Sequence, residues 1–133
     1  MRTLAFVQAH LNQRVTAPGG IGGQCVDLAN LYMQDVLQQP LVRLNAVDWR
    51  TAKISGMVWT PNSPVNSPPP DSIVIWGPNA AAGTGQYGHI AIALAADSMT
   101  LLTFDQDWPY GAPCSLTLHT YDGVLGWHQL AVL

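Results

Sequence analysis

Charged residues are scarce in this sequence of 133 residues: Asp, Glu, Lys and Arg together make up 10% of it, against about 25% in typical soluble domains. Hydrophobic residues make up 48%, so an intrinsically disordered chain is excluded. Only five residues are basic, they are scattered along the chain, and the formal net charge is −3. No basic stripe suited to a phosphate backbone is present, which argues against nucleic acid as a partner.

Long apolar runs are also missing. No segment approaches the roughly 18 apolar residues of a transmembrane helix, so we predict no membrane span. The first residues, MRTLAFVQAH, turn polar after Val7, which is too early for the apolar centre of a signal peptide. We therefore expect no signal peptide, and the length suits a single domain over residues 1–133.

Cysteine is also scarce, because the chain contains only Cys25 and Cys114. One possible bridge does not make a disulfide framework. Cys25 follows a glycine-rich loop, whereas Cys114 enters a segment of alternating polarity. We expect both to be free thiols with different roles.

The first half of the chain has the pattern of helices and loops. Apolar spacing predicts a short amphipathic helix over Thr3–Gln13 and a buried helix that begins at Cys25 and ends before Pro40. Residues 41–53 are ambiguous, with helical turns as one interpretation. Thr60–Pro70 holds five of the ten prolines, which predicts an extended loop.

The second half has the pattern of strands. Five runs rich in β-branched or aromatic residues are bounded by turn formers, namely Ser72–Trp76, His89–Leu94, Thr100–Asp105, Ser115–Thr120 and Val124–Leu130. Their short connections favour antiparallel pairing. Helices followed by strands predict an α+β fold, with the amino-terminal helices on one face of a curved antiparallel sheet of five or six strands.

Cys25 follows Gly22, Gly23 and Gln24 at the predicted junction of loop and helix. The first turn of a helix presents unpaired N–H groups and the positive end of the dipole, which favours a thiolate over a thiol. A cysteine at that position is prepared for nucleophilic attack. The alternative is a small buried residue that begins a core helix, and position alone does not separate the two interpretations.

His89 is the first residue of a predicted strand and follows the turn Gly85–Gly88. Histidine is the side chain best suited to proton transfer near neutral pH, although a lone histidine in such a place is more often structural. Asp105 and Asp107 follow at the end of the next predicted strand. Either carboxylate could accept the second ring N–H of His89 and fix its tautomer, or both are ordinary turn residues before Pro109.

Four blocks, in this order, together resemble a known family: GGQCVDLANLY, PPPDSIVIWG, GQYGHIAIAL and LTFDQDW. They are similar to the successive blocks of a CHAP domain (cysteine, histidine-dependent amidohydrolase/peptidase) of the papain-like NlpC/P60 group, and the similarity extends roughly over Gly19–Trp127. The resemblance implies a phage endolysin type of fold and a bacteriolytic peptidoglycan hydrolase. Either an N-acetylmuramoyl-L-alanine amidase or a peptidoglycan endopeptidase is compatible with it.

The resemblance also implies roles for single residues. Cys25 would be the nucleophile, His89 the general base and Asp105 the residue that orients the imidazole. Asp107 stands where many members carry Asn, so the question of which carboxylate contacts His89 stays open. Gln106 fits the family pattern as a packing residue.

Four residues are expected around the bond that is cut: Gln24, Tyr87, Asp107 and Trp108. Gln24 would stabilise the oxyanion together with the backbone N–H of the nucleophile. The aromatic side chains would line a glycan groove, although tryptophans in a small domain more often belong to the core.

We expect no metal and no other cofactor. Some CHAP domains bind calcium through Asp residues before the cysteine, but this chain has APGG at positions 17–20, and only Asp27 remains as an oxygen donor of that kind. A hard cation needs about six ligands. His10, His119 and His128 show no spacing typical of zinc ligands. We interpret His119 and His128 as strand or surface residues without a functional role.

The expected partner is peptidoglycan, and the expected place of action is the bacterial cell wall. The protein would be either a monomeric phage lysin released through a holin-type pore or a module of a larger virion assembly. Two alternatives remain: a non-catalytic wall-binding or virion structural module with the same fold, and a cysteine protease or deamidase that acts on a protein. An enzyme should show one rapidly alkylated cysteine below pH 7, with Cys114 inert.

Overall fold

The computed structural model describes residues 2–79 and 84–131. Its helical elements are α1 (Thr3–His10), α2 (Cys25–Tyr32), a π-helical turn (Met33–Leu37) that continues α2, and a 3-10 helix (Ala46–Thr51). Its strands are β1 (Met57–Pro61), β2 (Ile73–Trp76), β3 (His89–Ala96), β4 (Leu101–Asp105), β5 (Ser115–His119) and β6 (Val124–Leu130). Among the described residues, no helix has the length and apolar character that crossing a membrane requires.

The six strands form one antiparallel sheet in the order β1-β6-β2-β3-β4-β5. The last strand therefore returns to lie between the first two, while β2 to β5 follow one another in space. Both helices pack on one face of this sheet, where Phe6 of α1 and Leu28 of α2 join one core with Ile73 and Ile90. The predicted α+β architecture is confirmed.

The sheet is buried on both faces at its centre, and every residue of β2 is buried. Ile73 and Ile75 face the helices, whereas Val74 and Trp76 belong to a second, smaller core. That second core is formed by strand residues and by one loop side chain, Tyr121. His89 lies opposite Trp76 in the β2–β3 register, which places the histidine on the side of the second core.

The sequence patterns located most elements but missed β1. The predicted loop Thr60–Pro70 begins later than expected, because its first two residues belong to β1. This edge strand pairs only with β6 and is nowhere fully buried, so it lacks the apolar alternation that predicts a strand. Pro61 is tolerated there because an edge strand leaves one row of N–H groups unpaired.

The first predicted helix differs from the observed one at its carboxyl end, whereas the second does not. α1 stops at His10 instead of Gln13, and Asn12 adopts a left-handed φ of 67° that ends the helical segment. The second helix ends before Pro40, as predicted, with Gln38 in the left-handed region. The ambiguous residues 41–53 contain the 3-10 helix, which confirms the interpretation as helical turns.

Candidate active site

Cys25 is the first residue of α2 and is partly exposed in an open cleft of about 560 Å³. The loop before it is shaped by the buried carboxylate of Asp27. That carboxylate accepts three backbone hydrogen bonds, from the N–H groups of Ala17 (3.0 Å), Gly22 (3.0 Å) and Gln24 (3.1 Å). One side chain of the helix thus fixes the course of the loop that leads to the sulfur.

Gln106 attaches the same loop to the end of β4. Its side-chain amide donates to the carbonyl oxygens of Gln24 (2.7 Å) and Val15 (3.1 Å), and its oxygen accepts the Val15 N–H at 2.6 Å. Cys114 donates its S–H to the same oxygen at 3.3 Å. Gln106 is fully buried, so its position is that of a packing residue, as the family resemblance implied.

The two cysteines are free thiols in different surroundings, as predicted. Cys114 is fully buried, and burial raises the pKa of its thiol to about 11. Cys25 lines the cleft together with His89, and its thiol is one of the groups that raise the pKa of that imidazole. Of the two, only Cys25 is therefore both accessible and in contact with a potential base.

His89 joins the thiol to a carboxylate. Its Nε2 lies 2.7 Å from Oδ2 of Asp105, which leaves Nδ1 as the ring nitrogen available to Cys25, whose thiol helps to raise the pKa of the ring. The imidazole is 3% exposed and packs against two indole rings, with centroid distances of 5.0 Å to Trp76 and 4.6 Å to Trp108. The orientation of the ring is therefore fixed by these two indoles and by the hydrogen bond to Asp105.

The protonation states of His89 and Asp105 follow from their contacts. Burial alone would lower the pKa of His89, but hydrogen bonds to Asp105 and Cys25 outweigh burial and raise it to about 9. Burial would raise the pKa of Asp105, whereas hydrogen bonds from His119 and His89 hold it below its ordinary value. At neutral pH the site thus contains an imidazolium next to a carboxylate.

The question of which carboxylate contacts His89 is answered by the end of β4. Asp105 is the last residue of the strand and points at the imidazole, whereas Asp107 lies in the following turn with a left-handed φ of 65°. Asp107 accepts the Gly111 N–H with its carboxylate and donates its own N–H to Ala112 (2.9 Å). It stabilises that turn and lines the cleft.

His119 was missed as a part of this site. Both His119 and His128 lie on strands, as expected, and both are buried, with exposed fractions of 7% and 2%. His128 contacts the carbonyl oxygen of Trp49 at 2.7 Å, far from the thiol. His119 places Nε2 2.9 Å from Oδ2 of Asp105.

The residue pattern of β5 explains why the sequence did not predict His119 as part of the site. Leu116 and Leu118 are 49% and 67% exposed, whereas the alternate side of the strand carries Ser115, Thr117 and His119. Apolar alternation therefore predicts the wrong face as the buried one. The only sequence signal that pointed to a buried His119 was its place at the same alternate positions as the polar residues Ser115 and Thr117.

His89, Asp105 and His119 are residue types that ligate metals, and their candidate ligand atoms lie within 4.8 Å of one another. The nitrogen–oxygen separations of 2.7 and 2.9 Å are hydrogen-bond lengths. Ligands around a tetrahedral zinc ion, with bonds of about 2.0–2.1 Å, stand roughly 3.3 Å apart. The cluster therefore matches two N–H donors that share one carboxylate oxygen.

The remaining expected site residues, Gln24, Tyr87 and Trp108, all line the cleft. Tyr87 is 57% exposed, and its carbonyl oxygen accepts the N–H of Val47 (2.8 Å), which attaches this turn to the 3-10 helix. Tyr110 lies on the same rim and is 96% exposed. Aromatic side chains thus border the opening above the thiol.

The cleft carries little charge. Among the described residues that line it, Asp107 is the sole carboxylate, and neither Lys nor Arg is present. Residues 80–83, which lie outside the described part, have the sequence AAAG and add no charged side chain. Apart from the imidazolium of His89, the described lining of the cleft is therefore neutral to weakly negative.

One family model matches the chain. Residues 15–107 match the family model described as the CHAP domain. A search of curated proteins found no match. Among solved structures, the wild-type endolysin LysIME-EF1 has a TM-score of 0.79 and 26% identity, with coverage of 96% of this chain and 62% of that one.

The structures of Ly7917 also share the fold. The one titled as a complex with the hydrolyzing product of MDP has a TM-score of 0.72 and 16% identity, and it covers 96% of this chain and 60% of that one. The structure titled Ly7917 alone has a TM-score of 0.68 and 17% identity, and the match covers 96% of this chain and 60% of that one. At these identities the likeness is one of fold alone, and the chain spans about 60% of the length of the structures that it matches.

Proposed function

The chain belongs to the CHAP domain family, and on that premise we propose that it hydrolyses an amide bond of peptidoglycan. Cys25 is the nucleophile, His89 the general base and Asp105 the orienting carboxylate. The observation that carries this proposal is that a partly exposed thiol and a buried imidazole line the same cleft, with the imidazole hydrogen-bonded to a buried carboxylate. Similarity to an endolysin supports peptidoglycan as the polymer.

The proposed reaction is acyl transfer in two halves. The Cys25 thiolate attacks the carbonyl carbon, and the backbone N–H of Cys25 with the Gln24 side chain stabilises the oxyanion. The His89 imidazolium donates its Nδ1 proton to the leaving amine as the C–N bond breaks. Water then loses a proton to His89 and attacks the thioester, which releases the carboxylic acid and regenerates the thiol.

The loop contacts support this assignment of the oxyanion site. Gln24 is held at its carbonyl oxygen by Gln106 and at its N–H by Asp27, so the backbone next to the nucleophile is fixed before substrate binds. Donors that are oriented in advance stabilise a developing negative charge without a reorganisation cost. The position of Cys25 at the start of α2 adds the positive end of the helix dipole.

The rim supports a substrate that combines sugar and peptide. Tyr87, Trp108 and Tyr110 offer apolar rings on which a sugar face or an aliphatic peptide side chain packs. The scarcity of charge favours a peptide segment that is uncharged or cationic, with Asp107 as the residue that meets a positive group. Residues 1–133 would act as one catalytic domain at the bacterial cell wall, either as a phage lysin or as a module of a virion.

The decisive experiment is turnover of purified peptidoglycan by Cys25→Ala, with Cys114→Ala as the matched control. We expect the first variant to lose activity while it keeps the far-UV circular dichroism of the unmodified protein. The second should retain activity, because its sulfur is buried away from the cleft. Turnover by Cys25→Ala would refute the proposal, and casein in place of peptidoglycan tests the protease alternative.

The bond that is cut separates the two family activities. An amidase releases the amino terminus of the first alanine from the muramic acid, whereas an endopeptidase exposes an amino terminus within the stem or cross-bridge. The catalytic groups are the same for both, since each reaction is acyl transfer from an amide. Mass spectrometry of the digested muropeptides identifies the new amino terminus and so decides between them.

A further inference from the structure

One oxygen of Asp105 is shared by two imidazoles. Oδ2 lies 2.7 Å from Nε2 of His89 and 2.9 Å from Nε2 of His119, and the Thr103 hydroxyl donates to the other oxygen, Oδ1. All four side chains are buried. An ionised carboxylate only accepts hydrogen bonds, so both ring nitrogens that face Oδ2 carry protons.

We propose that His119 is a positioning residue for the proposed reaction: its Nε2–H fixes the Asp105 carboxylate at the place where His89 needs it. This inference rests on the proposed function only in the roles of Cys25 and His89. His119 is not one of the residues that line the cleft. It acts on the proposed nucleophile through the side chains of Asp105 and His89.

Packing shows that His119 and His89 are parts of one unit. The His119 ring lies 4.8 Å from Trp76 and 4.9 Å from Trp108, and the same two indoles pack against His89. The ring centroids of the two histidines are 6.2 Å apart, and the Nε2 atoms of both rings contact Oδ2 of Asp105. A shift of the His119 ring would therefore displace both the carboxylate and the indoles that hold the base.

The donors also explain how a fully buried carboxylate stays ionised. Burial opposes its charge, and the hydrogen bond from His119 acts together with that from His89 to keep the pKa of Asp105 low. Removal of the His119 donor leaves an acceptor position of a buried charge unfilled. Asp105 then turns more freely, and the imidazolium of His89 loses support.

The test measures alkylation of Cys25 by iodoacetamide from pH 5 to pH 9 in the full chain, with peptide mass mapping to separate it from Cys114. His119→Leu removes the N–H donor, and His119→Gln keeps one. His128→Leu is the matched control, because His128 is equally buried and contacts a single acceptor outside the site. This readout needs no substrate.

We expect His119→Leu to slow alkylation of Cys25 at pH 7 about tenfold, the loss that corresponds to one charge-assisted hydrogen bond. The same variant should shift the pH profile of alkylation toward higher pH. His119→Gln should stay within about threefold, and His128→Leu should keep the profile of the unmodified protein. In turnover assays kcat should fall for His119→Leu while KM stays constant. Equal profiles for His119→Leu, His128→Leu and the unmodified protein would overturn the inference.

Failure of the two proposals is distinguishable. If the unmodified chain does not hydrolyse peptidoglycan, the proposed function fails, while the alkylation profiles still decide the role of His119. If His119→Leu does not fold, nitrogen-15 NMR of the unmodified protein takes its place. A proton on Nε2 of His119 that exchanges slowly with solvent is expected, and an unprotonated Nε2 would contradict the inference.

Discussion

Oδ2 of Asp105 accepts a hydrogen bond from Nε2 of His89 over 2.7 Å, and neither side chain is more than 3% exposed. The contact joins the last residue of β4 to the first residue of β3, so antiparallel pairing of these strands brings the two together. Without water to screen it, the contact is stronger than a surface ion pair. The protonation state and orientation of the imidazole both depend on it.

Asp105→Asn should lower kcat by about 10²–10⁴-fold, because an amide neither stabilises the imidazolium nor selects its tautomer. Asp107→Asn is the matched control two residues away, and we expect it to change kcat by less than about tenfold because Asp107 does not contact His89. Steady-state hydrolysis of purified peptidoglycan measures both. Equal losses in the two variants would contradict the assignment of Asp105.

Activity should fall on the alkaline side near pH 9. The leaving amine takes its proton from the imidazolium, and the pKa of His89 is raised to about 9, so the acid form is lost above that pH. The measurement is a pH profile of kcat, with circular dichroism at each pH to confirm that the chain stays folded. A profile that already declines at pH 7 would show that His89 titrates like an exposed histidine.

The same pKa predicts how stability changes with pH. Because the folded-state pKa of His89 lies above its ordinary value of 6.5, its contribution to the free energy of unfolding is complete below pH 6.5 and is lost as pH rises through about 9. The loss amounts to at most about 3 kcal/mol. Urea unfolding between pH 6 and pH 9.5 measures it, and His89→Gln should remove this component.

Asp27→Asn should reduce the free energy of unfolding by about 2–4 kcal/mol, because an amide nitrogen would face a backbone N–H where a carboxylate oxygen now accepts it. Turnover should fall as well, since the displaced loop carries Gln24 and leads to Cys25. Asp48→Asn is the control at an exposed position of the 3-10 helix. Urea unfolding at pH 7 compares the two variants, and equal stabilities would contradict the role given to Asp27.

Gly88→Ala should destabilise the fold and displace the base. Gly88 has a φ of 74°, and an added Cβ would collide with the carbonyl oxygen of Trp76. Gly85→Ala is matched, since Gly85 also has a positive φ, of 64°, but has open space around it. We expect a cost of about 1–2 kcal/mol for Gly85→Ala and more for Gly88→Ala. Thermal unfolding measures both, and equal Tm values would exclude the collision.

Local patterns in the sequence were sufficient for much of the fold. The glycines before Cys25 and the apolar residues after it predict a helix that begins at the cysteine, and α2 begins there. Strands β2 to β6 carry their own β-branched and aromatic residues, so each was located within two residues at either end. These signals are local because backbone preference and burial periodicity act over a few neighbouring residues.

The sequence by itself therefore determined the α+β class, the positions of most elements and the two residues, Cys25 and His89, most suited to chemistry. Only the tertiary structure decided that β1 pairs with β6, that Asp105 and not Asp107 meets the base, and that His119 shares the same carboxylate. Each of these relationships joins residues from different strands or from a strand end and a turn. Strand order and register set them, and neither is encoded in the periodicity of a single segment.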